Sequence, residues 1–245
     1  HLDHKMRISE VFRRKGLLPE ARNRHISALD KAQQKIGNEA GQHEYALGVK
    51  TTDNLTRVWF AYGDISDERL LRDSRIEGVL KAVVSPEDTC LSVGGGAALS
   101  LANKAGMQTV LHNLYKFAPV EQGTAPVTSA GRLPVHYLIH AAAVEITEQG
   151  AETNDAHLRK TVCNILNQLK PLCVDVLWIP LIGTGVANGS PAGSAQAILD
   201  AINDWMPNGH QCTVIITVFK ESLLSRKEMK TLLTDSLSSK PVVDC

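Results

Sequence analysis

The sequence is short of several features that would each have named a function class. It has no excess of either charge: Lys+Arg is 26 and Asp+Glu is 26, for a formal net charge of +0. A chain without a positive field has no general attraction for polyanions, so nucleic acid is not the expected partner. It has no CxxC pair among its five cysteines, Cys90, Cys163, Cys173, Cys212 and Cys245. An odd, scattered set argues against both a disulfide framework and a zinc knuckle, and points to reduced thiols in a cytoplasmic protein. No apolar run reaches membrane-spanning length, because charged residues interrupt each one, and no signal peptide is visible. No GxxxxGK[ST] string is present and no clean GxGxxG opens a first βα unit, which argues against a P-loop nucleotidase and against hydride transfer on a dinucleotide. There is no internal repeat and no low-complexity segment.

What is present is ordinary globular material. Of the 245 residues, 43% are hydrophobic and 21% charged. A chain of this size buries roughly 72% of its unfolded surface, enough for a core without disulfides. The first 50 residues read as a helical appendage or linker. From Glu20 to Leu47 helix formers recur at spacings near three and four, interrupted by Gly37 and Gly41. This appendage, on a chain that starts at His1 rather than Met, suggests a domain from a larger signalling or effector protein with further domains.

From residue 51 to about 240 the pattern alternates strand and helix. Thr56–Tyr62, Gly78–Val84, Ala125–Ser129, Tyr137–Ala142, Val174–Ile179 and Thr213–Phe219 read as strands. The second should stop at Ser85-Pro86, since proline donates nothing to a ladder. Asp67–Ser74, Ala97–Ala105, His157–Leu172, Ser190–Trp205 and Ser225–Ser236 read as helices. Such alternation predicts a three-layer α/β/α domain around a central mixed, mostly parallel sheet.

Open α/β sheets bind ligands at the carboxyl ends of their strands. Two glycine-rich loops fall there, each between a strand and a helix. One is Ser92-Val93-Gly94-Gly95-Gly96-Ala97; the other is Ile182-Gly183-Thr184-Gly185-Val186-Ala187-Asn188-Gly189. Such loops expose backbone N–H groups and open a helix whose dipole favours an anion. Two on one sheet suggest a diphosphate; as a bland alternative each is a tight turn. Asp64, in Gly63-Asp64-Ile65, closes a strand and can accept from an exocyclic amine or cap the next helix. His140 reads as a satisfied strand histidine and Cys90 as an inert buried thiol. His112 and His136 have no partner at metal-ligand spacing, so no metal or cofactor is implied.

In order, Gly63-Asp64-Ile65, Val83-Val84-Ser85-Pro86-Glu87-Asp88, Leu91 to Ala98, Val127 to Pro134 with Tyr137 to His140, and Ile179 to Val186 resemble the macrodomain family of bacterial type, which binds ADP-ribose. The resemblance covers about residues 51–236. It implies that Asp64 takes the adenine amine with the Ile65 backbone beside it, and that Phe219 lies against adenine. It implies that Gly94, Gly95, Gly96 and Ala97 meet the distal ribose and one phosphate, with Ser85 and Asp88 near that ribose. It gives the diphosphate to Ile182, Gly183, Thr184, Gly185, Val186 and Ala187. The ligand would be ADP-ribose, free, protein-linked or as an NAD-derived signal. Departures leave the enzyme question open. Hydrolytic relatives carry an Asn-rich stretch where this chain has Ser85-Pro86-Glu87-Asp88, and one class has an acid after the glycines where this chain has Ala97-Ala98-Leu99. Asp88 is then the one candidate to orient a water in an ADP-ribosyl or ADP-ribose ester hydrolase. A third reading is a partner-binding domain whose pocket has lost its ligand.

Overall fold

A computed structural model describes the chain except residues 1, 37–43, 51–54, 74–75, 77–78, 207–209, 238–242 and 245. The elements run α1 (Leu2–Arg14), α2 (Pro19–Ile36), β1 (Glu44–Lys50), β2 (Thr56–Tyr62), α3 (Glu68–Leu71), β3 (Lys81–Asp88), α4 (Gly96–Ala105), α5 (Met107–Tyr115), β4 (Val127–Ser129), β5 (Tyr137–Ile146), β6 (Ala151–Glu152), α6 (Asp155–Leu169), β7 (Val176–Pro180), α7 (Pro191–Trp205), β8 (Cys212–Val218), α8 (Arg226–Ser236) and β9 (Val243–Asp244). Among the described residues no helix is long and apolar enough to cross a membrane.

One sheet organises the domain, in the order β4-β5-β3-β7-β8-β2-β1-β9, with β6 paired to β5. The five central strands, β5, β3, β7, β8 and β2, are mutually parallel. The flanks formed by β4, β1 and β9 are antiparallel. Period-two alternation sends successive strand residues to opposite faces. Val58, Phe60, Leu177, Ile179, Val214 and Ile216 meet Leu158, Val162, Ile198 and Met229 of α6, α7 and α8. Ala61, Val83, Val176, Trp178 and Ile215 face the other way, toward Leu101 of α4, Leu111 of α5 and Phe12 of α1. The expected three layers and mixed, mostly parallel sheet are therefore present.

Two local expectations are corrected. The helical reading up to Leu47 gives way to a strand: Glu44–Lys50 pairs antiparallel with β2. Helix propensity is a weak prior, and a neighbouring edge with free backbone groups overrides it. Gly48 fits this register, because a Cβ there would run into the Trp59 ring. Strand β3 does not stop at Ser85 but continues through Pro86 to Asp88. Its pairing with β7 ends at Val83, so Pro86 has one strand neighbour, β5, and its missing donor breaks no central ladder.

The N-terminal hairpin packs on the domain. Ile8, Val11 and Phe12 of α1 are buried in the α4–α5 layer. Ala21, His25 and Leu29, four residues apart on α2, form a buried stripe. Lys15 reaches Thr89 Oγ1 at 3.0 Å and pairs with Glu145.

Candidate functional site

The carboxyl ends of β3, β7, β8 and β2 lie side by side and open into one cleft of about 640 Å³. Each strand delivers a different piece. After β2 comes Gly63, whose N–H bonds Val218 O at 2.9 Å and whose φ of 133° turns the chain out of the sheet. Asp64 follows, fixed by the Ser66 N–H at 2.8 Å and by the Ser100 hydroxyl at 3.3 Å. Those two donors occupy part of the carboxylate; its remaining lone pairs can take a further donor.

After β3 the chain makes a strained turn. Leu91 and Val93 both have φ of 49°, which is unfavourable for side chains of this kind and most of all for a β-branched one. A buried carboxylate holds the turn. Glu87 accepts from the Val93 N–H at 3.2 Å and the Ser85 hydroxyl at 2.7 Å, and stands 3.3 Å from His140 Nδ1. His140 Nε2 is in turn 3.0 Å from Thr128 Oγ1. Helix α4 then begins at Gly96 with no side chain capping its first turn. Its orphan N–H groups and positive dipole end therefore face the cleft.

After β7, Leu181 to Gly189 folds back on itself, with Gly189 N–H bonding Gly183 O at 2.9 Å. Gly183 has φ of 80° and Asn188 φ of 53°. Helix α7 is capped by Ser190, whose hydroxyl accepts from Gly193 N–H at 2.8 Å. After β8, Phe219 lines the cleft, half-buried, beside Lys220 and Leu223.

Most of the sequence candidates meet here: Asp64, Ile65, Asp88, Gly94, Gly95, Gly96, Ala97, Ile182, Gly183, Thr184, Gly185, Val186 and Phe219 all line the cleft. Two do not. Ser85 is buried behind it and serves Glu87. Ala187 is turned toward the α4–α5 side of the core. Asp88 lines the cleft, yet its donors are already chosen. It accepts from Cys90 N–H at 2.8 Å and Ser92 Oγ at 3.1 Å, and His25 Nε2 stands 3.0 Å from its other oxygen. Burial pushes the Asp88 carboxyl up, but His25 beside it and these donors outweigh that and hold it below the usual carboxylate range. The three side chains do not form a proton relay. The same His25 nitrogen faces both Asp88 and, at 3.2 Å, Ser92, whereas a relay divides them between the two ring nitrogens. Burial and the Asp88 charge push the Cys90 thiol well up, so it is not a nucleophile.

The sequence reading placed a helix from Glu20 but named none of its residues at the site; α2 adds Ala28, Leu29 and Lys31 to the cleft wall. The available signal was a histidine at i+4 between Ala21 and Leu29, on the apolar face of a helix. Among the described residues no cluster of three or more His, Cys, Asp or Glu side chains is arranged to hold a metal.

The comparisons agree with this geometry. The family model described as Macro domain matches residues 84–198, from β3 into α7. A macrodomain from Oceanobacillus iheyensis with MES bound superposes with a TM-score of 0.61 at 18% identity, covering 79% of this chain and 100% of that one. A Trypanosoma brucei macrodomain in complex with ADP-ribose gives 0.57 at 18% identity, covering 71% and 68%. An uncharacterized protein of Sulfurisphaera tokodaii is 26% identical over 157 residues, 62% of this chain and 84% of the relative. The segment 84–198 thus matches the Macro domain model, and the fold is that of the solved macrodomains.

Proposed function

We propose that the cleft binds ADP-ribose. The observation that carries this reading is the convergence of both glycine loops and Asp64 on one cleft across four adjacent parallel strands. Its volume, about 640 Å³, falls in the usual range for small-molecule sites. The solved Trypanosoma brucei relative is a complex with ADP-ribose. In this reading Asp64 accepts from the adenine amine and Phe219 lies against the ring. Gly183 to Val186 wraps the diphosphate, and Gly94 to Ala97, with the uncapped start of α4, takes the distal ribose and its phosphate. The engagement of Asp88 with His25, Ser92 and Cys90 leaves the hydrolytic alternative without its candidate base. Cysteines without a CxxC pair fit a reducing compartment, and the proposal puts the protein in the cytoplasm.

Calorimetric titration tests it. ADP-ribose is expected to bind with a micromolar Kd, about −8 kcal/mol, and AMP more weakly. Asp64→Ala is expected to weaken ADP-ribose by about tenfold, or about 1.4 kcal/mol. No heat at millimolar ADP-ribose, or equal binding of AMP, would overturn the reading.

A further inference from the structure

Helix α2 occupies one end of the cleft, and it is built in. Leu29 sits on the first glycine loop so tightly that a Cβ at Gly94 would overlap its Cδ1 and stand 2.9 Å from its Cγ. A Cβ at Gly95 would lie 3.5 Å from the Leu29 carbonyl oxygen and 3.9 Å from its Cα, so the helix backbone itself rests on the loop. The hairpin is fastened in the residues that lead up to that contact. His25 is buried against Asp88 and Ser92. Leu18 N–H bonds Glu148 at 2.8 Å, and Lys15 bonds Thr89. The other parts of the cleft are open by comparison: Gly185, Asn188 and Lys220 are exposed, and Leu223 is 40% exposed.

We infer that α2 closes the terminal-ribose end, so that the site takes free ADP-ribose and excludes ADP-ribose joined through that ribose to a protein side chain. This rests on the orientation of the ligand in the reading above. A group attached to the terminal ribose must continue past Gly94–Ala97, and that path is filled by Ala28 and Leu29. The seating of Leu29 on Gly94 and Gly95 and the buried hydrogen bond between His25 and Asp88 hold the wall in place, so an attached peptide meets a packed helix rather than a flexible arm. The second glycine loop, open to solvent, gives the ligand its way in.

The test compares ligands on the full chain. Free ADP-ribose and its methyl 1″-O-glycoside are titrated side by side, followed by a seryl-ADP-ribosyl peptide. The glycoside and the peptide are expected to bind at least about tenfold more weakly than free ADP-ribose. In Leu29→Ala that ratio is expected to shrink toward one. Equal binding of the three ligands to the unaltered protein would overturn the inference while leaving ADP-ribose binding intact. Failure of free ADP-ribose to bind would instead overturn the reading of the cleft, and this inference with it. An unchanged ratio in a folded Leu29→Ala would show that α2 does not exclude the attached group. If that variant shows no cooperative melt, the ratio on the unaltered protein decides.

Discussion

Gly94–Gly96 and Gly183–Gly189 each follow a buried strand and precede a helix, yet what would meet an added Cβ differs at the two. At Gly94 and Gly95 it is Leu29, a residue from another part of the chain. At Gly189 it is Gly183 O, 2.8 Å away within the same loop, and at Gly185 nothing lies within 4 Å. The first loop therefore needs glycine so that a helix can dock on it. The second needs Gly189 to fold on itself, needs Gly183 for its positive φ and for the Leu158 side chain packed beside it, and at Gly185 keeps a face bare. The caps follow the same division: α7 starts on a Ser190 cap, whereas α4 starts on Gly95 with no capping side chain. A glycine run in a sequence thus reports close approach without saying what approaches.

The contrast is broken most directly at its latch. His25→Ala leaves the Asp88 carboxylate buried without its partner, a loss of about 3 kcal/mol. For a chain of this size that is a Tm drop of about 6–12 °C by differential scanning fluorimetry. A drop under about 2 °C would show that the hairpin is not held by this pair. The same pair predicts a pH dependence. The folded-state Asp88 carboxyl lies below its unfolded value. Its stabilisation is therefore complete above about pH 5 and is lost as pH falls through and below about 4. Between pH 5 and pH 3 the unaltered protein should lose more Tm than His25→Ala does, since the variant has already lost the contact.

The next effect sharpens the assignment of the first loop to α2. Gly94→Ala drives a methyl group into Leu29 and should destabilise by about 1–3 kcal/mol through overpacking. Combined with Leu29→Ala, the double variant should be more stable than the summed single losses allow, by about 1 kcal/mol or more in a double-mutant cycle on urea unfolding. Strict additivity would mean that Gly94 is constrained by something other than the helix.

These pairings also mark where the sequence was legible. Strands of β-branched and apolar residues such as Thr213–Phe219 could be read because their signal is local, and so could the helix over Ser225–Ser236, observed as α8. The glycine loops could be read because strand-loop-helix order locates them at the sheet's carboxyl edge. Glu44–Lys50 could not, since seven residues without strict alternation become a strand only when Thr56–Tyr62 offers an edge. His25 and Asp88 are 63 positions apart, and no periodicity connects them. Ser85 was placed at the ligand by the resemblance of the Ser85–Asp88 stretch to the family, but the strand's alternation turns it inward to Glu87.

The smallest expected change in stability tests the second loop. Gly185→Ala adds a methyl group where nothing lies within 4 Å, at a backbone angle any residue can adopt. Its urea midpoint should correspond to a change within about 0.5 kcal/mol. Its affinity for ADP-ribose should nevertheless fall by about tenfold, because a bare backbone is what lets a diphosphate come within hydrogen-bond range of the loop. Gly94→Ala and Gly185→Ala are then opposites, the first read mainly in melting and the second mainly in titration. If Gly185→Ala binds ADP-ribose as the unaltered protein does, the open face of Gly185 is not where the diphosphate lies. The diphosphate would then have to be held at the start of α4, on the side of the cleft that Leu29 already occupies.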